Sequence, residues 1–126
     1  MDEEPVLDVL ADEPEVFAAY HDGVTVLNVV GEHDMASVDK LETMISEQAQ
    51  SRRNLVVSMK DTRFIDSTVI ATLLRAHREA SQEGRRFVLH TDCSDDILKL
   101  LDLTGVSRNV PCAQELDDAI SLARGD

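Results

Sequence analysis

The run NLVVSMKDTRFIDST (residues 54–68) changes character twice, and that change decides the fold. Asn54–Met59 has the short, β-branched apolar centre of a buried strand. Asp61 opens a stretch that reads as a polar loop, and Asp66-Ser67-Thr68 stand at the mouth of a helix. From Ser67 to Glu83 the periodicity is helical: Ile70, Leu73, Leu74, His77 and Ala80 form one stripe, while Arg75, Arg78, Glu79 and Gln82 occupy the other faces. Gly84 supplies the stop. A buried strand feeding an amphipathic helix is half of a βαβ unit, which points to a parallel sheet.

Upstream, Val16–Tyr20 and Val24–Val30 are β-prone runs joined by His21-Asp22-Gly23, a hairpin signal. After Gly31, Ser37 is positioned to cap a helix with apolar residues at Val38, Leu41, Ile45 and Ala49. Downstream, Arg86–His90 reads as a strand. Asp95 or Asp96 opens a helix carrying Ile97, Leu100 and Leu101 and ended by Gly105. Arg108–Cys112 reads as a short strand, and Leu116, Ala119, Ile120 and Ala123 mark a last amphipathic helix. The order β-β-α-β-α-β-α-β-α gives one α/β domain over residues 15–126: a mixed, mostly parallel sheet with an N-terminal β-hairpin and about four α-helices. Residues 1–14, acidic and holding Pro5 and Pro14, read as a flexible tail in which part of Val6–Leu10 has the apolarity to pack. The C-terminal ends of the parallel strands are the expected place for a site.

Length and composition agree. The 126 residues, 43% of them hydrophobic, suit one domain that buries enough surface to fold without a staple. The 25 acidic and 12 basic residues give a formal charge of −13, leaving no basic surplus for a nucleic-acid stripe or an anionic membrane surface. Seven of the acids lie within residues 1–15, so the body carries 18 acids against 12 bases. No apolar run approaches the roughly 18 residues of a spanning helix, and MDEEP lacks the basic start of a secretory signal, so the chain reads as cytoplasmic. Cys93 and Cys112 match neither zinc spacing nor a CxxC pair. They read as reduced structural thiols, or as a redox pair if their strands are neighbours.

The chemistry concentrates at Asp61–Thr68. Unpaired N–H groups at a helix N-terminus favour an anion, so a hydroxyl there is well placed to receive a phosphoryl group, while Asp66 opposes the added charge. Asp-Ser-Thr ahead of an apolar helix is equally what an ordinary N-cap looks like. Spacing alone leaves both readings open.

VLNVVGEHD (26–34), VVSMKDTRFIDST (56–68), the helix with Leu73-Leu74 and EGRRFVL (83–89) together resemble the STAS domain, and more narrowly the bacterial anti-sigma factor antagonists. The likeness spans residues 16–123. It implies that Ser67 is the residue phosphorylated by an anti-sigma factor kinase, with Asp66 its acidic neighbour and Thr68 the second hydroxyl residue of the motif. Asp34 would be the carboxylate of a turn facing the same end of the sheet. The implied switch surface comprises Asp34, Asp61, Asp66, Thr68 and Val69, with Asp34, Asp61 and Asp66 gathered near Ser67. The chain departs from the family pattern at Val69, where Gly is usual, at Ser58, where the strand commonly carries Asp, and at His33, which replaces an apolar residue.

The implied function is partner switching, as part of a stress response. The unphosphorylated domain binds an anti-sigma factor and so frees a sigma factor; phosphorylation of Ser67 ends the complex, and a phosphatase would be a further partner. The chain would be the kinase's substrate, with no cofactor or metal of its own, since ATP and magnesium belong to the kinase. A second implication of the same fold is a cytoplasmic subunit of a lipid-transport complex. An enzyme reading finds little footing. His77 lies on the same helix about 15 Å from Ser67 and cannot be its base, and the five glycines are isolated turn residues with no phosphate loop among them. His77 reads instead as a histidine at the edge of the core.

Overall fold

Glu15–His21 (β1) and Val24–His33 (β2) pair antiparallel across Asp22-Gly23, both at positive φ, as a two-residue hairpin turn with the sheet's twist requires. A computed structural model describes residues 13–126; apart from Glu13 and Pro14, the acidic head and the packing expected of Val6–Leu10 lie outside the described residues. The elements that follow are α1 (Val38–Gln50), β3 (Asn54–Ser58), β4 (Thr62–Ile65), α2 (Ser67–Gln82), β5 (Phe87–His90), α3 (Asp95–Leu103), α4 (Val106–Asn109), β6 (Cys112–Ala113) and α5 (Leu116–Arg124). The strands lie in the order β1-β2-β3-β5-β6, parallel from β2 onward, with β4 running beside the end of β2.

Alternation along the strands builds two cores. Leu27 and Val29, Leu55 and Val57, and Leu89 face α1, α2 and α3, where Leu41, Leu73, Ala76 and Leu101 meet them. Val24, Val26, Val56 and Val88 face the other way, under Ala119, Ile120 and Ala123 of α5. The central strand β3 is therefore covered on both sides, which is why its sequence is continuously apolar where an exposed strand would alternate.

Four expectations need correcting. Thr62–Ile65, read as loop, is a strand, because β2 runs on through Gly31, Glu32 and His33 and offers a parallel edge there. Gly31 N–H donates to the Asp61 carbonyl at 3.0 Å, and Thr62 Oγ1 donates to the Val29 carbonyl at 2.6 Å. Arg108–Cys112, read as strand, is mostly not one. Gly105 (φ 85°) turns the chain after α3 into the single-turn helix α4, with Asn109 Nδ2 donating to the Gly105 carbonyl at 2.7 Å. The strand begins only at Cys112, and the described helices number five where about four were expected. Ser37 occupies the N-cap position of α1, yet its side chain makes no cap bond to the helix; the carbonyl of Asp34 takes the Val38 N–H instead.

Candidate functional site

Asp66 ends β4 and opens α2. Its extended backbone (φ −109°, ψ −173°) turns the carboxylate over the first turn. Oδ1 accepts the N–H of Thr68 at 3.0 Å, the N–H of Val69 at 3.3 Å and the hydroxyl of Thr68 at 2.5 Å. Oδ2 accepts the N–H of Met35, from the turn that follows β2, at 3.1 Å. The Thr68 hydroxyl foremost holds the Asp66 carboxyl below the usual range; desolvation works against it, and the amides of Val69, Thr68 and Met35 add to the lowering. Ser67 is the first residue of the helix proper and is exposed, and the first turn of α2 holds no acidic residue. The partial positive charge of the helix N-terminus is therefore offset only by the capping carboxylate.

The neighbouring turn is built by its own polar groups. Asp34 Oδ1 accepts the Ala36 N–H at 2.9 Å, its carbonyl accepts the N–H groups of Ser37 and Val38, and its own N–H donates to Ser37 Oγ at 3.1 Å. His33 lies buried beneath. Its Nε2 faces the carbonyls of Val30 at 2.9 Å and Glu15 at 3.2 Å, so Nε2 carries the proton, and Nδ1 stands 3.4 Å from Ser37 Oγ. An imidazole here ties β1, β2 and the turn together, which an apolar side chain would not.

The structure thus joins Asp34, Asp66, Ser67 and Thr68 at one corner. Two members of the expected surface do not belong to it. Val69 is fully buried against the core, because the third residue of α2 begins its inward stripe with Ile70, Leu73 and Ala76. Asp61 stands at the opposite end of β4, about 16 Å along the chain at roughly 3.3 Å per residue. It lines a groove of about 890 Å³ with Phe17, Val30, Lys60, Arg63 and Ser94. The expected gathering of three carboxylates is a gathering of two.

Ser58 is paired across the sheet with His90, its Oγ 2.7 Å from Nδ1, both side chains buried at the C-terminal ends of adjacent parallel strands. His77 packs edge-on to Phe87 with ring centroids 6.3 Å apart, and burial lowers its pKa, as suits a histidine at the edge of the core. Cys93 and Cys112 are both free and half-buried against the same core. Cys93 is pushed up to about 11, chiefly by burial, with Asp92 and Cys112 adding; burial raises Cys112 as well. Thiolate is the reactive form, so both side chains rest as poorly nucleophilic thiols. Among the described residues no three His, Cys, Asp or Glu side chains form a metal site, and no helix is long and apolar enough to cross a membrane.

Met35 went unnoticed in the sequence. It is 73% exposed, with its backbone fixed by Asp66. The one available signal is a large apolar residue within the polar turn EHDMAS (32–37).

A family model described as STAS domain matches residues 17–119. An anti-sigma F factor antagonist of Paenibacillus polymyxa is 27% identical over 94 residues, covering 73% of this chain and 80% of that protein. The crystal structure of an anti-sigma factor antagonist from Mycobacterium paratuberculosis aligns at TM-score 0.75 and 26% identity, covering 90% of this chain and 96% of that one. The anti-sigma factor antagonist SpoIIAA in its unphosphorylated form shares the fold at TM-score 0.68 and 19% identity, covering 90% of this chain and 99% of its own.

Proposed function

The chain belongs to the STAS domain family, and from that premise we propose that it is an anti-sigma factor antagonist switched off by phosphorylation of Ser67. The observation that carries this reading is the exposed Ser67 hydroxyl on the first residue of α2, directly after a carboxylate that has taken over the capping. The named relatives support the partner class. In its unphosphorylated form the corner of Asp34, Asp66 and Ser67 docks an anti-sigma factor, which then releases its sigma factor. In the transfer, Ser67 Oγ forms a bond to the γ-phosphorus of ATP and the bridging P–O bond to ADP breaks. The hydroxyl proton passes to a base supplied by the kinase, so nothing in this chain need act as a catalyst.

The direction of the switch follows from charge. Phosphate brings about −1.5 to −2 at neutral pH into a surface already holding Asp34 and Asp66. In a close interface it must be desolvated or repelled, and a loss of about 2.8 kcal/mol weakens binding roughly a hundredfold.

The test is incubation with candidate anti-sigma factors and ATP, followed by mass spectrometry. One phosphate is expected, mapped to Ser67 and absent in Ser67→Ala. Ser67→Ala should bind constitutively and Ser67→Asp weakly. Equal affinity of the two variants for an anti-sigma factor that binds the wild type refutes the switch.

A further inference from the structure

One carboxylate serves two elements at the Ser67 corner. Asp66 Oδ1 caps the helix that begins with Ser67, and Oδ2 holds the N–H of Met35 at 3.1 Å. Met35 is among the most exposed large apolar side chains of the described chain, at 73%, and it stands in a turn bordered by the exposed Asp34 and the buried His33. A flexible, polarizable thioether is well suited to fill a partner's apolar socket. The carboxylates around it call for a socket rimmed with basic side chains. The bond from Asp66 is what ties the backbone of this residue to α2.

We propose that Met35 is the apolar anchor of the anti-sigma factor docking surface and that Asp66 is its positioning residue, so that a phosphate on Ser67 withdraws the anchor by dislodging Asp66. The inference rests on the reading of Ser67 as the phosphorylated residue and adds the route by which the phosphate acts. Its oxygens contend for the amides of Thr68 and Val69 that Asp66 Oδ1 now occupies, and its charge repels the same carboxylate. Either effect swings Asp66 away and breaks the bond to Met35. Phosphorylation then removes an apolar contact as well as adding a charge.

The test needs no kinase: phosphoserine is installed at position 67 during translation, and amide hydrogen exchange is read by NMR. Phosphoserine at 67 and Asp66→Asn should each speed exchange of the Met35 amide about tenfold, as expected for one lost charge-assisted hydrogen bond. Ser67→Ala should leave it unchanged, with the β3 and β5 amides constant in every variant as the control for folding. A Met35 amide that exchanges at the wild-type rate in the phosphoserine protein overturns the coupling, whether or not any anti-sigma factor phosphorylates the chain. With an anti-sigma factor that binds the wild type, Met35→Ala should weaken binding about tenfold and Met35→Leu far less. Undiminished binding by Met35→Ala overturns the anchor, and absence of any anti-sigma factor partner for the wild type would instead count against the function proposed above while leaving the exchange result to decide the coupling.

Discussion

Asp66-Ser67-Thr68-Val69 and Ser94-Asp95-Asp96-Ile97 open two helices in the same frame, and they divide the work oppositely. Each has a capping side chain, two polar positions and a buried residue at the third helical position: Val69 in α2, Ile97 in α3. In α3 the serine is the cap, its Oγ accepting the Ile97 N–H at 3.2 Å, and Asp95 and Asp96 fill the first turn with negative charge. In α2 the aspartate is the cap and the serine follows it, exposed, on a first turn without acids. Exchanging the two residue types moves the hydroxyl from a structural position to an accessible one, on a first turn where the capping carboxylate already holds the helix N-terminus and a phosphate must contend with it. The same local chemistry yields a staple at one junction and a candidate switch at the other.

The largest expected effect is all or none. With a cognate anti-sigma factor and ATP, Ser67→Ala should abolish phosphate incorporation and Ser94→Ala should leave it intact. Phosphate recovered on Ser94 by peptide mass spectrometry would erase the distinction. Next in size, Ser67→Asp should weaken anti-sigma factor binding roughly a hundredfold, on the reckoning of about 2.8 kcal/mol above. Ser94→Asp should leave it unchanged, since aspartate caps a helix as well as serine; titration calorimetry of the two variants decides. Stability should respond the other way round. Ser94→Ala should cost about 1 kcal/mol of unfolding free energy by urea denaturation through loss of a cap, and Ser67→Ala no more than about 0.5 kcal/mol as a surface change. A larger loss at Ser67 than at Ser94 would reverse the assignment of cap and switch.

The smallest effect is on acid stability. The pKa of Asp66 is lower in the folded chain than its ordinary value of 3.8, so the unfolded chain binds the proton more readily. The stabilisation from this carboxylate is therefore present above about pH 3.8 and lost as pH falls through its lower folded value. Asp66→Asn should flatten that part of the acid limb and Ser94→Ala should not, as followed by thermal melts across the acid range.

Much of this was legible in order along the chain. The hairpin at Asp22-Gly23, the helix over 67–82 and the buried strand at 54–58 are written in local periodicity and turn chemistry, and Asp66-Ser67-Thr68 announced the cap, while the family resemblance singled out Ser67 as the candidate phosphate acceptor. The misreadings at Thr62–Ile65 and Asp61 share one cause. Thr62–Ile65 has too short and too polar a pattern to read as a strand by itself; it becomes one because an overshooting β2, some thirty residues earlier, supplies its partners. That pairing carries Asp61 to the far end of β4 and into the groove with Phe17, away from Ser67. Ser58 read as an anomaly until His90 lay across the sheet from it.

The sequence by itself determined the α/β class, because periodicity, capping and turn preference act over a few neighbouring residues, and its motifs carried the family likeness that implies Ser67 as the candidate acceptor. Only the tertiary structure decided which carboxylates surround Ser67 and that Asp66 reaches Met35. Those facts depend on strand register and on hydrogen bonds between segments about thirty residues apart, where a partner is chosen by the packing of the whole sheet and no local pattern records it.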